Sequence, residues 1–170
     1  MGEEHRGIAG AGRGELTQEV EGVAPVTRTF RRDFVRRLID ALSTAAIKRG
    51  IGPPQRYLLT VPGRKTHTDH TTPVSLVFDG STRYLVAPYG EVGWVRNARD
   101  AGMVTLARKG RSERFSVAPL RGAEAAVVLK GYVRLEPITR PYFGVSRDAT
   151  ADEFAGEVAS HPVFKLTPVP

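Results

Sequence analysis

The feature that most constrains this fold is a series of six short apolar segments, several of them joined by tight turns that contain glycine. Apolar segments of roughly five to seven residues, bounded by turn signals, are typical of β-strands. Short strands joined by hairpins, with few helices, favour a small antiparallel barrel, so we predict an α+β fold of mainly antiparallel β-structure. The predicted strands are Tyr57–Val61, Thr72–Phe78, Arg83–Ala87, Met103–Arg108, Ser112–Ala118 and Val163–Thr167.

Turns and flanking helices complete this pattern. Asp79-Gly80 and Lys109-Gly110-Arg111 are hairpin turn signals, because their glycines reach the backbone conformations that such turns need. Pro137 and Pro141 mark a predicted loop that carries Tyr142 and Phe143. The predicted flanking helices are Gly93–Asp100, Ala123–Leu135 and Asp152–Ser160.

The N-terminal part differs from the rest in composition. Residues 1–28 are rich in glycine and glutamate and have no sustained apolar period, so we predict a disordered tail, with one domain over residues 29–170. Thr29 can cap a helix from Phe30 to about Lys48. The apolar face of this helix favours packing on the core. The arginines outside that face allow a second interpretation, a weak peripheral contact with a membrane surface.

Composition excludes several classes of site. The 170 residues contain no cysteine, which excludes disulfides, zinc–thiolate sites and thiol catalysis. No apolar run approaches the ~20 residues that a membrane-spanning helix needs. The N-terminus lacks the basic start and apolar core of a signal peptide, so we expect a cytoplasmic protein.

Positive charge is concentrated in the middle of the chain. Residues 51–120 carry ten Lys/Arg and five Asp/Glu, which gives +5 of the total net charge of +7. This excess indicates either a solvated basic surface or a polyanionic small-molecule partner. Nucleic acid is disfavoured, because the basic residues are scattered over predicted strands and no nucleic-acid-binding motif accompanies them.

A cationic turn follows the first predicted strand. Gly63 is followed by Arg64, Lys65 and Thr66, whose cations and hydroxyl can converge on one phosphate. A charged hairpin turn without a ligand is the alternative, because a motif of four residues is not specific. The P-loop is excluded, since its upstream glycine is missing at the required spacing.

Other candidate site residues are aromatic or polar. His67-Thr68-Asp69-His70 is interpreted as a surface loop rather than a metal site, because no third ligand has suitable spacing. Trp94, the only tryptophan, is either a core anchor or the wall of a flat pocket, and Asn97 shares its helix face or caps backbone groups. The tyrosines and phenylalanine that could line a pocket or simply pack are Tyr89, Tyr132, Tyr142 and Phe143.

In this order, the motifs resemble the deazaflavin-dependent nitroreductase family over roughly Tyr57 to Tyr132. That family usually reads leucine-leucine-threonine, two residues, then glycine-arginine-lysine-threonine-glycine, an arginine and proline-leucine. The matching residues are Leu58-Leu59-Thr60, Gly63-Arg64-Lys65-Thr66, Thr72-Pro73, Trp94, Asn97 and Val104-Thr105-Leu106. The chain departs from the pattern in three places: His67 replaces the glycine, and Asp69 and His70 replace a proline and an arginine.

The resemblance implies a split β-barrel, similar to flavin-binding pyridoxine-phosphate-oxidase folds, with flanking helices. It implies reduced coenzyme F420, an 8-hydroxy-5-deazaflavin with a phosphate and a polyglutamate tail, and hydride transfer to an activated alkene, quinone or nitro compound. It also implies a small-molecule substrate and a homodimer. The cofactor-binding residues that it implies are Arg64, Lys65, Thr66 and His70 at the phosphate, and Thr72, Pro73, Val74, Pro88, Tyr89, Trp94 and Asn97 around the ring.

Two points stay open at this stage. The proton donor for such a reaction is one of Tyr89, Tyr132 or Tyr142, and the sequence does not choose among them. FMN in the same barrel is an alternative cofactor, and a non-enzymatic carrier of a flavin or lipid is an alternative function.

Overall fold

The computed structural model describes residues 44–170, whose strands form one closed antiparallel barrel. The strands are β1 (Arg56–Pro62), β2 (Asp69–Asp79), β3 (Thr82–Val86), β4 (Met103–Arg108), β5 (Arg111–Leu120) and β6 (Val163–Val169). Around the barrel, the strand order is β1-β2-β3-β6-β5-β4. The predicted small antiparallel barrel with flanking helices is therefore confirmed.

The helices lie before and between the strands. Residues 44–48 are helical, and the predicted tail over 1–28 and most of the predicted first helix lie outside the described residues. Two predictions were wrong. The predicted loop around Pro137 and Pro141 forms a 3₁₀-helix, and the last helix ends at Ala155 instead of Ser160. The helices are α1 (Gly93–Ala101), α2 (Gly122–Leu135), the 3₁₀-helix Pro137–Tyr142 and α3 (Ala151–Ala155).

Local hydrogen bonds explain where α3 begins. The Thr150 hydroxyl accepts from the Glu153 backbone N–H, and the Glu153 carboxylate accepts from the Thr150 backbone N–H. This reciprocal pair is a capping box, which fixes the first turn. The hydrogen bonds that the Thr150 backbone N–H and hydroxyl donate to the Glu153 carboxylate lower the pKa of that carboxyl.

Two apolar clusters hold the fold together. The first fills the barrel and includes Leu59, Leu76, Phe115 and Phe164, each fully buried. The second lies outside the barrel wall, where helix α2 covers β3 and β6. Alternation along the strands produces both clusters: Leu85 of β3 faces the barrel interior, whereas its neighbours face the helices.

Strand β2 changes partners along its length. Residues 69–75 pair with β1, whereas β3 pairs only with Leu76–Asp79. The first half of β2 therefore has an edge that β3 does not cover. Pro73 lies in this half, where its missing N–H is tolerated as it is on an edge strand.

The loop between β1 and β2, residues 63–68, is closed by its own backbone. The Gly63 N–H donates to the Thr68 carbonyl (2.8 Å), and the His67 N–H donates to the Gly63 carbonyl (2.7 Å). His67 adopts a positive φ of 55°. A side chain in this left-handed region is strained, and the resembled family has glycine at this position.

We therefore expect His67→Gly to raise the free energy of unfolding by about 0.5–1 kcal/mol, because glycine adopts this conformation without steric cost. Urea unfolding monitored by circular dichroism measures the change. Gly63→Ala is the contrasting variant, since an added methyl group would come within 2.9 Å of the His70 Nε2. It should destabilise the loop, and a His67→Gly variant less stable than the parent would contradict this description.

Candidate functional site

A cavity of about 350 Å³ lies along the uncovered edge of β2. One side is formed by β2 and the residues that follow β3, and the other by the C-terminal end of α2 and the 3₁₀-helix. We call it the β2–α2 cavity. Its lining residues are Ile47, Arg56, Thr72, Pro73, Val74, Ser75, Val86, Pro88, Tyr89, Val92, Trp94, Tyr132, Glu136, Ile138 and Thr139.

The cavity brings together about half of the residues that the sequence singled out. Among the residues predicted at the ring or as proton donors, those that line it are Thr72, Pro73, Val74, Pro88, Tyr89, Trp94 and Tyr132. Those that do not line it are Arg64, Lys65, Thr66, His70, Asn97 and Tyr142. The predicted residues therefore form a cavity wall and a separate cationic loop.

Trp94 contributes to both the core and the cavity wall. It lies in the first turn of α1, and its ring packs against the buried Phe164 ring with a centroid distance of 6.2 Å. It is half-buried and lines the cavity. The sequence left two interpretations of Trp94, a core anchor and a pocket wall. Both apply, because the ring packs on the core and the residue also borders the cavity.

The cavity lining also includes a polar cluster that sequence reasoning missed. The Ser75 hydroxyl donates to Glu136 Oε1 (2.6 Å), and Arg56 Nη2 lies 3.4 Å from Glu136 Oε2. The Thr139 hydroxyl donates to the Glu136 carbonyl (2.7 Å). Glu136 is only 6% exposed, so its carboxylate depends on these partners rather than on water.

Tyr132 stands one helical turn before Glu136 on the same face of the helix end. Tyr132 is buried and lines the cavity, and its hydroxyl has no hydrogen-bond partner among the described residues. Burial, reinforced by the Glu136 carboxylate, strongly raises the pKa of this hydroxyl. Tyr132 is therefore held in its protonated form.

The other two candidate tyrosines lie further out. Tyr89 borders the cavity and is about half exposed. Tyr142 does not line the cavity, and it packs edge-to-face on Tyr89 with a centroid distance of 4.6 Å. Among the three, Tyr132 is the only one that is both buried and on the cavity wall.

The β1–β2 loop presents free donors at its surface. Arg64, Lys65 and Thr66 are exposed. The backbone N–H groups of Lys65 and Thr66 have no hydrogen-bond partner among the described residues. Two consecutive free N–H groups beside two cations form a suitable site for an anion.

Asn97 connects this loop to the helix that carries Trp94. The Arg64 backbone N–H donates to Asn97 Oδ1 at 3.5 Å, a long and therefore weak hydrogen bond. Trp94 and Asn97 lie three residues apart in α1. The helix thus supplies a cavity wall at its start and a support for the cationic loop one turn later.

The predicted surface loop over residues 67–70 is wrong in part, because Asp69 and His70 begin β2. Neighbouring strand residues point to opposite faces. His70 lies against Gly63, whereas Asp69 lines a separate cavity of about 230 Å³ together with Thr60 and Arg114. The negative charge of Asp69 is therefore directed away from the face that carries His70. Within the described part of the chain, no three potential metal ligands form a cluster.

Comparison with known proteins supports the fold. No protein-family model matches the sequence, and no curated protein matches it. Among solved structures, one described as a domain-swapped dimer has a TM-score of 0.51 and 17% identity, covering 81% of this chain and 96% of its own. A protein of unknown function from Agrobacterium tumefaciens also has a TM-score of 0.51, with 12% identity, covering 86% of this chain and 57% of its own.

A structure described as an F420-H2-dependent reductase has a TM-score of 0.49 and 19% identity, covering 66% of this chain and 94% of its own. One structure from Listeria innocua, described as of the pyridoxamine 5'-phosphate oxidase type, has a TM-score of 0.45 and 16% identity, covering 68% of this chain and 85% of its own. At these identities, likeness shows the fold and not the activity. Among the residues that the structure describes, no helix is long and apolar enough to span a membrane. The described chain is a closed six-stranded antiparallel barrel with flanking helices.

Proposed function

We propose that this protein is an oxidoreductase that uses reduced coenzyme F420 to reduce an electron-poor organic acceptor, such as an activated alkene, a quinone or a nitro compound. One observation carries the proposal: the β2–α2 cavity is lined both by apolar side chains, Trp94 among them, and by the buried Tyr132. A reductase needs such a place, where a flat cofactor ring and a flat acceptor are kept from water beside a proton donor.

The size and the lining of the cavity support binding of a deazaflavin ring. Its volume of about 350 Å³ falls within the range of roughly 300–1,000 Å³ that is usual for small-molecule sites. Pro73, Val74, Pro88 and Trp94 give it flat apolar surfaces. The uncovered edge of β2 leaves room for a ring to lie against the strand.

The charge distribution fits the remainder of the cofactor. The β1–β2 loop offers Arg64, Lys65 and two free backbone N–H groups, which suit a phosphate. A polyglutamate tail would meet the net charge of +5 carried by residues 51–120. Because Asp69 is directed to another face, it does not oppose that field at His70.

The bound cofactor would supply a hydride. The residues of this chain would hold the acceptor against the cofactor, exclude water and deliver the matching proton from the Tyr132 hydroxyl. Because burial raises the pKa of Tyr132, its hydroxyl stays protonated but is a weak acid, so it would give its proton only to an acceptor that has already gained negative charge.

FMN remains the second candidate cofactor, because it shares a flat tricyclic ring and a phosphate. It lacks the polyglutamate tail, so it would use less of the positive field around the loop. A protein that is purified with a yellow flavin absorbance would favour FMN.

Turnover tests the proposal. Reduced coenzyme F420, mixed anaerobically with the protein and a quinone, an enone or a nitroarene, should be oxidised in step with reduction of the acceptor. The reaction without protein and the reaction with reduced FMN are the controls. Oxidation of reduced coenzyme F420 that is equally fast without protein would contradict the proposal. So would a protein that accelerates oxidation of reduced FMN but not of reduced coenzyme F420.

The cationic loop should set cofactor affinity. We expect Arg64→Ala and Lys65→Ala each to weaken binding of coenzyme F420 by about 1–3 kcal/mol, as for a charge-assisted hydrogen bond. Arg111→Ala removes an equally exposed cation at the turn between β4 and β5 and should change affinity by less than about 0.5 kcal/mol. Equal losses in all three variants would mean that only net charge matters.

We also expect a homodimer. The resembled family supports this expectation, and one protein with a similar fold is described as a domain-swapped dimer. Sedimentation velocity of the full chain would measure the mass in solution. A monomer at all concentrations tested would contradict the expectation.

A further inference from the structure

The polar wall of the β2–α2 cavity consists of one cation, one carboxylate and one hydroxyl. These groups are the guanidinium of Arg56, the carboxylate of Glu136 and the hydroxyl of Tyr132, and all three residues line the cavity. The proposed reaction has a role for Tyr132, but it assigns none to the other two.

Glu136 is placed where a carboxylate is unfavourable. It caps the C-terminal end of α2, where the helix dipole opposes negative charge, and it is only 6% exposed. Its carboxylate is held by the Ser75 hydroxyl and by Arg56. Removing one partner of a buried ion pair leaves an uncompensated charge, so the pair acts as a unit.

Arg56 keeps unused donors beside the cavity. Among the described residues, the one partner of its side chain is Glu136, 3.4 Å from Nη2, so Nη1 is left without a protein acceptor there. The side chain is 42% exposed. A guanidinium has five N–H donors, so donors remain for a ligand.

The charges of this wall cancel while its donors remain. Arg56 and Glu136 together carry no net charge, yet unused Arg56 N–H groups and the Tyr132 O–H can both donate to a ligand oxygen. A neutral carbonyl oxygen can accept hydrogen bonds from these donors, and the charge of Glu136 does not repel it. A ligand carboxylate would meet the same donors but would also be repelled by the charge of Glu136.

We propose that Glu136 is a specificity-determining residue: by neutralising Arg56, it makes the cavity select neutral conjugated carbonyl compounds, such as enones and quinones, over carboxylates. The inference rests on the proposed function only in taking this cavity as the acceptor site.

Binding of a matched pair of ligands tests the inference without cofactor. The compounds 4-nitroacetophenone and 4-nitrobenzoate differ only in that the first has a methyl group where the second has a charged oxygen. Both quench tryptophan fluorescence. Trp94 is the only tryptophan and lines the cavity, so its fluorescence reports binding there. The full chain should bind the ketone at least about tenfold more tightly than the carboxylate.

Two variants should change the ratio of ketone affinity to carboxylate affinity in opposite directions. Glu136→Gln keeps an acceptor for Ser75 but leaves Arg56 uncompensated, so the carboxylate should bind at least about tenfold more tightly than in the parent. Arg56→Gln leaves Glu136 uncompensated, so the ratio should widen further in favour of the ketone. Glu113→Gln, an exposed carboxylate outside the cavity, is the control and should leave the ratio unchanged.

Several outcomes would overturn the inference. These are an unchanged ratio in folded Glu136→Gln, a parent protein that prefers the carboxylate, or no quenching by either ligand. If circular dichroism shows that Glu136→Gln does not fold, Arg56→Gln alone tests the inference. A ratio of ketone affinity to carboxylate affinity that does not rise in this variant would then overturn it. Absence of F420 binding with the predicted ratios intact would overturn the proposed cofactor but leave the selectivity of the cavity in place.

Discussion

Phe164→Ala is expected to lower the free energy of unfolding by about 3–5 kcal/mol, the usual cost of removing a fully buried aromatic side chain. Phe164 lies in β6 with no exposed surface, between Leu85 of β3 and Pro119 of β5. Its ring packs against Trp94, so the cavity formed by the substitution would also loosen one wall of the candidate site. Urea unfolding measures the change in the free energy of unfolding. A red shift of Trp94 fluorescence would show that the cavity wall at Trp94 has loosened.

Val127→Ala is the control for this prediction. Val127 is 58% exposed on α2, and alanine is a better helix former, so stability should change by no more than about 0.5 kcal/mol. A loss below about 1.5 kcal/mol in Phe164→Ala would contradict the packing of the barrel interior described above.

Tyr132→Phe is expected to lower turnover by roughly 10²–10⁴-fold, the usual contribution of a general acid, while cofactor affinity stays within about twofold. Phenylalanine keeps the buried ring, and no described residue loses a hydrogen bond to the hydroxyl. Since the pKa of Tyr132 is raised, the parent protein should show no loss of activity from its deprotonation between about pH 6 and 9.

Tyr142→Phe is the matched control, because Tyr142 is exposed and does not line the cavity. Its turnover should stay close to that of the parent. If Tyr142→Phe loses activity while Tyr132→Phe retains it, the proton comes from outside the cavity wall. If both variants retain activity, neither tyrosine supplies the proton.

Those parts of the fold that depend on local sequence were predictable. Lys109 and Gly110 both adopt positive φ values, 52° and 72°, and the predicted hairpin between β4 and β5 is confirmed. Asp79-Gly80 likewise joins β2 to β3. In each case a short dipeptide fixes the turn, and alternation of apolar residues fixes which face is buried.

Boundaries set by tertiary pairing were not predictable in the same way. Asp69 and His70 are polar and exposed, yet they extend β2 because they pair with Pro62 and Val61 of β1. Nothing in their own side chains favours a strand. The pairing partner therefore decided the boundary.

The cluster of Glu136, Ser75 and Arg56 could not be found from the sequence, because its members are far apart along the chain. Glu136 is separated from Ser75 by 61 positions and from Arg56 by 80. Each is an ordinary polar residue in its local context, and only the closure of the barrel and the placement of α2 bring them together. The apolar wall was accessible by contrast, because Thr72-Pro73 and Trp94 belong to motifs that resemble a known family.

The most direct test of the proposed function is a titration of the purified full chain with coenzyme F420 and, in parallel, with FMN, following Trp94 fluorescence. We predict saturable quenching by coenzyme F420, with an affinity at least about tenfold higher than for FMN, which corresponds to about 1.4 kcal/mol. This preference should shrink when Arg64 and Lys65 are both replaced by alanine. Tighter binding of FMN, or no binding of either cofactor, would contradict the account.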